Sequence, residues 1–270
     1  MTPAYVSNWP DLLQQPQEGD HFVQVYRDEA FLGEAVAEYT GTGLRRGEGV
    51  IIIATPSHRA AFSRQLEAEG FDVADAVHRG QLIMLDAQET LSKFTAGGMP
   101  DWQSFHALIG GVIAKMRLEY PTVRAYGEMV DVLWQRGERD AAIRLEEFWN
   151  DLAKLQTFSL LCAYLMDNLD ASAYTGPLEC ICKVHSHLIP ARDYTLFNQV
   201  VMEASKDVLD EPLAQMLLSL AARHRPSTAM PDGQATLLWL KRNMPRTADK
   251  VLAEVKARCS ASGPNSVSAS

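Results

Sequence analysis

The sequence predicts a doubly wound α/β fold with a mostly parallel sheet, followed by a C-terminal helical appendage. From about residue 20 to residue 190, segments rich in strand formers alternate with segments of helical periodicity. Val50–Ala54 is a continuous apolar run, which is typical of a parallel strand buried on both faces. After Pro190 the strand pattern stops and only helical segments follow.

Each element of this alternation has its own signal. Strands are predicted where apolar and β-branched residues are concentrated, at His21–Tyr26, Val50–Ala54, Leu82–Asp86, Val123–Val130 and Phe158–Tyr164. Helices are predicted between them, from a cap at Asp28 to Leu44, from Thr55 to Gly70, at Asp101–Tyr120 and at Arg139–Leu155. The order of strand, helix and strand predicts right-handed crossovers and a parallel sheet.

The remaining segments set the expected domain division. Four helices separated by prolines are predicted at Tyr194–Val208, Glu211–Arg225, Ala235–Met244 and Thr247–Arg258. We expect an irregular lead-in over residues 1–19, an α/β domain over 20–190, a helical appendage over 191–258, and a Ser/Gly/Pro-rich disordered tail over 259–270.

Composition limits the classes of partner. The 270 residues include 25 Lys and Arg against 34 Asp and Glu, a net charge of −9, which disfavours nonspecific binding to nucleic acid or to an anionic membrane. No apolar run is long enough to span a bilayer, and the first residues lack a signal-peptide pattern, so we expect a cytoplasmic protein. The four cysteines are then expected to be free thiols.

The first predicted strand-to-helix turn argues against nucleotide chemistry. Tyr26–Ala30 contains neither glycine nor lysine, and its Asp28 and Glu29 would repel a triphosphate. The glycine-rich segment Gly41–Gly47 follows a helix, so it fits neither a phosphate loop nor a dinucleotide fingerprint. The sequence therefore predicts no cofactor and a protein that is not an enzyme.

Candidate ligand-binding residues lie near strand ends, because open α/β sheets bind ligands at the carboxyl ends of their strands. Glu128 and Asp131 follow the fourth strand, where paired acids could serve acid/base work, hold a cation, or accept hydrogen bonds from loop amides. No nucleophile and base accompany them, which favours binding over catalysis.

Other candidates come from the remaining elements of the α/β domain. His21 begins the first strand and is either a hydrogen-bonded histidine at the strand edge or a polar group or metal ligand at the sheet's rim. Glu146 and Asn150 share one helix face, which could equally be the polar edge of a packed helix. We expect a ligand crevice lined by four residues, His21, Tyr26, Glu128 and Cys162.

The segment Cys180–His187 holds the densest set of soft ligands. If this segment were extended, Cys180 and Cys182 would share one face, and His185 and His187 would share the other. Four such groups could hold zinc, but their spacing is not that of a zinc finger, and cysteine is common in cores. Packing is the favoured interpretation, so no metal is predicted.

Two features of the appendage concern partners. A basic cluster comprises Arg223, His224, Arg225, Lys241, Arg242 and Arg246. Apolar stripes are formed by Leu213, Met216, Leu217 and Leu220 and by Leu237, Leu238 and Leu240. The stripes indicate helix packing or a partner surface rather than a DNA-binding helix-turn-helix, and a homodimer is the simplest expectation.

Several segments together resemble the MEDS domain, the sensory domain of methanogen and methylotroph regulators, including a dichloromethane-responsive repressor. The resemblance covers about residues 20–190 and is carried by His21–Tyr26, Gly43–Glu48, Gly80–Asp86, Arg124–Trp134, Leu145–Asn150, Leu160–Tyr164 and His185–Pro190. It implies a RecA/KaiC-like core that has lost its phosphate loop and senses small hydrocarbon derivatives. Such domains are often joined to histidine kinases or DNA-binding domains, but no kinase motif is found here.

The expected function is therefore non-catalytic signalling, of the kind found in two-component systems and transcription regulation. A small molecule or a partner would bind the α/β core, and the C-terminal helices would relay its state to a signalling protein such as a histidine kinase or regulator. Two alternatives stay open, an active RecA-like ATPase and a DNA-binding regulator that uses the C-terminal helices.

Overall fold

A computed structural model describes residues 9–227 and 230–261, and these contain eight strands and fourteen α-helices. The strands are β1 (His21–Tyr26), β2 (Gly49–Ala54), β3 (Leu82–Asp86), β4 (Thr95–Ala96), β5 (Met99–Pro100), β6 (Val123–Gly127), β7 (Ser159–Leu165) and β8 (His187–Ile189). The helices preceding β7 are α1 (Trp9–Gln14), α2 (Glu29–Arg45), α3 (Pro56–Ala68), α4 (Val73–His78), α5 (Ala87–Ser92), α6 (Trp102–Phe105), α7 (Gly111–Glu119), α8 (Met129–Gln135) and α9 (Arg139–Leu155). After β7 come α10 (Pro177–Val184), α11 (Tyr194–Leu209), α12 (Glu211–Arg223), α13 (Asp232–Asn243) and α14 (Pro245–Ala261).

The predicted fold class is confirmed. A six-stranded parallel sheet has the order β3-β2-β6-β7-β1-β8, and β4 and β5 form a separate antiparallel pair. Next to one edge of the sheet, β2 pairs with both β3 and β6, with Ile52 level with Met84 on one side and Tyr126 on the other. No helix in the described part of the chain combines the length and the apolar character needed to cross a bilayer.

The chain forms two compact units, and the division passes through β1. The α/β unit comprises Pro10–Gln24 and Leu32–Leu165. The C-terminal unit comprises Val25–Phe31 and the chain from Met166 onward, together with Trp9.

The α/β unit covers both faces of its sheet with helices. Tyr126 of β6 meets Phe62 of α3, with ring centroids 5.3 Å apart. The next residue, Gly127, faces Trp149 of α9, because successive residues of a strand point to opposite faces. Thus α3 and α9 lie on opposite faces of β6.

The C-terminal unit is built around helix packing. Helix α11 packs against α12, α13 and α14. The stripe Leu237, Leu238 and Leu240 is buried in α13, as the interpretation of helix packing predicted. In α12 the buried residues are Ala214, Leu217 and Ala221. The predicted stripe on this helix is therefore mostly outside the core, since Met216 is 52% exposed and Leu217 alone of its four residues is buried.

The structure corrects several element boundaries. The fourth strand ends at Gly127, and Met129 already begins a helix. Helix α1 lies within the expected irregular lead-in, while residues 1–8 of that segment lie outside the described residues. Of the tail expected from residue 259, the first three residues end α14, and 262–270 lie outside the described residues.

The extended form considered for Cys180–His187 is wrong. Pro177 stands in the first turn of α10, where a proline is well tolerated, and Leu178, Ile181 and Cys182 form its buried face. Cys180 and Cys182 lie about 200° apart around the helix axis, so they do not share a face. Cys180 is exposed and Cys182 is buried.

A buried arginine organises the amino-terminal edge of the α/β unit. Arg124 of β6 is 1% exposed. Its guanidinium pairs with Glu48 and donates to the carbonyl oxygens of Leu13, at 2.7 Å, and Tyr39, at 3.1 Å. It also donates to the carbonyl oxygen of Gln14, so the last two residues of α1 both bind this cation. This tertiary capping explains why α1 has only a weak sequence signal.

Gly43 in the last turns of α2 makes room for this arginine. A Cβ atom at this position would lie 3.0 Å from Arg124 Cδ and 3.1 Å from a methyl group of Val50. Glycine costs about 1 kcal/mol relative to alanine inside a helix. Glycine is favoured here because the arginine stem passes directly beneath the helix and would have to shift to make room for a Cβ atom.

We predict that Arg124→Met lowers the free energy of unfolding by about 3–5 kcal/mol, because it leaves the Glu48 carboxylate and several carbonyl oxygens without their buried donor. Urea unfolding monitored by circular dichroism measures this loss. Lys154→Met is the matched control, since Lys154 forms an exposed pair with Asp151 and should change the unfolding midpoint little. Partial recovery by a second substitution, Glu48→Gln, is expected; equal midpoints for Arg124→Met and wild type would contradict the assignment.

Candidate functional site

Five of the six ligand residues predicted in the α/β unit fall into two groups on opposite faces of the sheet, and the sixth, Asp131, lies in neither. The switch-point group comprises Thr55, His58, Tyr126 and Glu128. The interior polar group comprises His21, Glu146, Asn150, Cys162 and Tyr164. The sequence singled out Glu128 in the first group and all but Tyr164 in the second. It did not predict that the residues would divide in this way.

The switch-point group lies where the chain leaves β2 and β6. From β2 the chain continues to β3, and from β6 it continues to β7, which lies on the other side. The two connections therefore depart in opposite directions and leave a crevice at the carboxyl ends of the two strands, where this fold class places its ligands. Thr55 and Glu128 are the first residues beyond the strands that border the crevice.

Glu128 links the elements around this crevice. One carboxylate oxygen accepts a hydrogen bond from the backbone N–H of Thr55. The other pairs with His58 Nδ1 at 2.6 Å and accepts from the Tyr126 hydroxyl at 3.1 Å. Glu128 is 3% exposed, so these contacts are largely shielded from water. The carboxylate thus joins the start of α3 to the end of β6. Its bond with the Thr55 amide is the contact with a loop N–H that was expected as one alternative.

Sequence reasoning missed His58 and Thr55. The same argument that selected Glu128 applies to them, because Thr55 directly follows the apolar strand β2 and His58 lies in the first turn of the helix after it. The segment Thr55-Pro56 was interpreted only as a helix start, which it is: the Thr55 hydroxyl accepts from the backbone of His58.

Asp131 lies in the first turn of α8 and makes different contacts. Its Oδ1 accepts from Gln135 Nε2 at 2.9 Å and from the backbone N–H of Leu165 at 3.1 Å. Burial raises its pKa to about 6, and the nearby negative charge of Glu128 acts in the same direction, while the two hydrogen bonds oppose the rise.

The interior polar group is centred on Cys162 of β7, which is fully buried. Its sulfur lies 3.4 Å from His21 Nε2 and 3.5 Å from Glu146 Oε2. The remaining pair, His21 Nε2 and Glu146 Oε2, is 3.2 Å apart. Three candidate residues from β1, β7 and α9 are therefore in mutual contact.

Two further side chains hold this group in place. His21 Nδ1 is 3.0 Å from Asn150 Oδ1, and the Tyr164 hydroxyl donates to Glu146 Oε1 at 2.7 Å. Glu146 and Asn150 share a face of α9, as predicted from their spacing. Burial, and secondarily the Glu146 carboxylate, raise the pKa values of the Cys162 thiol and the Tyr164 hydroxyl well above their ordinary values.

The other candidates lie in the C-terminal unit. Tyr26 ends β1 and is buried, and its carbonyl oxygen accepts from the backbone N–H of Met166 at 2.8 Å. His185 caps α10 and donates from Nδ1 to the carbonyl oxygen of Ile181 at 2.7 Å, and His187 begins β8. Of the basic cluster, Arg225, Lys241 and Arg242 form ion pairs with Asp232, Asp249 and Glu179.

An open pocket of about 420 Å³ lies at the carboxyl edge of the α/β unit. Its walls come from α5, which follows β3, and from α8, which follows Glu128. The lining combines two leucines with polar and charged side chains and consists of Gln88, Leu91, Ser92, Thr95, Leu133, Arg136 and Glu138. None of these residues was predicted, because a pocket between two short helices has no periodic signal in the sequence.

Comparison with protein-family models identifies the family of the chain. The model described as "MEthanogen/methylotroph, DcmR Sensory domain" matches residues 20–185. The chain belongs to the MEDS family. Its α/β unit and the first part of its C-terminal unit therefore carry a sensory domain, as the resemblance implied. Among curated proteins, none matches the chain.

The raised pKa of Asp131 in this MEDS domain gives a pH-dependent stability. Between pH 3.8 and about pH 6 the folded chain holds a proton that the unfolded chain has lost, so the free energy of unfolding falls as the pH rises. We predict that Asp131→Asn, which keeps the accepting oxygen, gains roughly 1–2 kcal/mol relative to wild type between pH 4 and pH 7. Urea unfolding at both pH values measures this difference. Asp140→Asn, on the exposed start of α9, is the control, and parallel pH profiles for wild type and Asp131→Asn would contradict the prediction.

Proposed function

We propose that the chain is a non-catalytic cytoplasmic sensor whose α/β unit binds a small hydrocarbon derivative bearing a polar group. The C-terminal helices would pass the bound state to a signalling partner. The observation that carries this proposal is the open pocket between α5 and α8, in a domain that belongs to a sensory family.

The pocket has the size and the chemistry of a small-molecule site. Its volume of about 420 Å³ is within the range of ligand pockets, which are commonly about 300–1,000 Å³. Leu91 and Leu133 are nearly fully buried in its wall, and the accessible lining as a whole is more apolar than polar, while Arg136 and Glu138 offer charge and hydrogen bonds. This mixture suits a molecule with a short apolar body and a polar group better than a bare hydrocarbon.

A ligand at this pocket would act on α8. This helix supplies part of the pocket wall and begins directly after Glu128, which is bonded to the β2–α3 connection. A ligand shifts such a structure only if it binds one arrangement of α5 and α8 more tightly than another. We therefore place the sensing event at the relative position of these two helices.

The contacts of Glu128 and Asp131 support a non-catalytic function. Glu128 accepts hydrogen bonds from Thr55 and Tyr126, and Asp131 from Gln135, so both carboxylates have positioning roles. The first βα turn remains acidic and free of glycine. ATP hydrolysis by the purified chain would instead favour the RecA-like alternative.

The proposed output is a protein partner, such as a histidine kinase or a transcription regulator, with a homodimer as the simplest assembly. Three members of the basic cluster are paired with acids inside the C-terminal unit, which weakens the case for DNA binding by these helices. The face of α12 that carries Leu213, Met216 and Leu220 is partly or fully exposed, as a contact surface would be.

We predict that filling the pocket abolishes ligand stabilisation. Dichloromethane, methanol and methylamine are the probes, and a ligand at ten times its Kd should add about 1.4 kcal/mol of stability. Ser92→Tyr places an aromatic ring in the pocket and should remove this gain in thermal unfolding. Lys93→Tyr is the matched control because Lys93 does not line the pocket; a probe that stabilises both variants equally would show that it binds elsewhere.

We predict that Met216→Lys dissociates the proposed homodimer, because it places a charge in an apolar contact. Light scattering after size-exclusion chromatography should report a dimer for wild type and a monomer for the variant. Gln215→Lys, one residue away on the exposed side of α12, is the control. A monomeric wild type would remove the homodimer from the proposal and leave a different signalling protein as the partner.

A further inference from the structure

Three chemically different metal ligands converge inside the α/β unit. His21 Nε2, Glu146 Oε2 and Cys162 Sγ lie 3.2, 3.4 and 3.5 Å from one another in the three pairwise combinations. Each belongs to a different element, β1, α9 or β7, so the convergence is a product of the fold rather than of one local motif. All three residues are at most 4% exposed.

These separations match the edges of a zinc coordination tetrahedron. Zinc binds nitrogen and oxygen at about 2.0–2.2 Å and sulfur at about 2.3 Å, which places neighbouring ligand atoms about 3.3–3.6 Å apart. The three distances differ from that range by no more than about 0.1 Å. A nitrogen, an oxygen and a thiolate sulfur together also match the ligand preference of zinc better than that of magnesium or calcium, which take oxygen.

The surrounding contacts orient the ligands as a metal requires. Asn150 Oδ1 accepts a hydrogen bond from His21 Nδ1–H, which leaves the Nε2 lone pair directed toward Cys162 and Glu146. Tyr164 donates to Glu146 Oε1, the carboxylate oxygen that is not aimed at Cys162. A second contact that fixes the tautomer of a histidine or the orientation of a carboxylate is a regular feature of metal sites.

We propose that the interior polar group holds a zinc ion, with His21 Nε2, Glu146 Oε2 and Cys162 Sγ as three of its four ligands. On binding, the thiol of Cys162 loses its proton to solvent, and the resulting thiolate and the Glu146 carboxylate balance the two charges of the ion. The fourth position is taken by a donor outside this group. This site differs from the sequence-based expectation of no metal, and it is independent of the pocket between α5 and α8.

Metal analysis of the full-length chain tests the proposal directly. The purified protein is stripped with a chelator, incubated with Zn²⁺, desalted and analysed by mass spectrometry of its elements, with an expected content of about one zinc ion per chain. Cys162→Ser and Glu146→Gln should each retain less than about a tenth of that content, while Asn150→Leu should weaken zinc binding by about 10–100-fold. Cys182→Ser is the matched control, since Cys182 is an equally buried thiol on α10.

A cobalt spectrum keeps the test decisive if Cys162→Ser does not fold. Co²⁺ replaces zinc and gives a thiolate-to-metal charge-transfer band in the near ultraviolet. A variant with Cys180, Cys182 and Cys259 changed to serine retains Cys162 as its one thiol, and it should keep this band together with the visible bands of tetrahedral cobalt. The proposal is overturned if folded wild type retains no zinc, if the band is absent from the single-cysteine variant, or if Cys182→Ser loses the metal.

Discussion

The buried guanidinium of Arg124 is the interaction on which the amino-terminal half of the α/β unit depends. A cation that is 1% exposed must have acceptors on every side, and Arg124 finds them in Glu48 and in carbonyl oxygens of α1 and α2. The ring of Tyr39 adds a cation–π contact, with the guanidinium carbon 5.3 Å from the ring centroid. One side chain of the central strand thereby binds the last turn of α1 and a carbonyl oxygen within α2.

The opposite end of the sheet is organised by an anion. Glu128 receives a backbone N–H, a histidine and a tyrosine hydroxyl where the connections from β2 and β6 diverge. The interior polar group lies on the other face, among α9, β1 and β7. The sheet separates this carboxylate–histidine pair, of which only the histidine is partly exposed, from the buried cluster of thiol, imidazole and carboxylate. The two groups can therefore have different chemical roles.

The elements that the sequence predicted are those with strong periodicity. Arg139–Leu155 has its expected bounds because its apolar stripe is continuous, and Leu82–Asp86 is likewise found as a strand. The short helices α4, α5 and α8 were missed, since single turns rely on caps such as Asp72 and Asp86 and on packing. Cys180–His187 shows the reverse error, because alternating ligand types suggested an extended chain where Pro177 begins a helix.

The candidate site was predictable in its residues but not in its grouping. His21, Glu146, Asn150 and Cys162 were chosen separately, from positions at a strand start, on a helix face and within a strand. Their convergence depends on β1 lying beside β7, which places strands far apart in the sequence next to each other. A local sequence pattern does not indicate which strands will be neighbours in the sheet. Glu128 could be placed at the carboxyl edge because that position depends only on where one strand ends.

The glycine above Arg124 also has a consequence for how this sequence can change over time. Gly43 and Arg124 are coupled through packing, because a methyl group at Gly43 would crowd the side-chain stem of Arg124. A chain that exchanged the arginine for a shorter residue would accept alanine in α2 more easily, with only Val50 still close, whereas a chain that kept the arginine would have to move its stem as well. The two positions, 81 residues apart, should therefore covary among related sequences. The residue at the helix position should depend on which side chain the strand position carries.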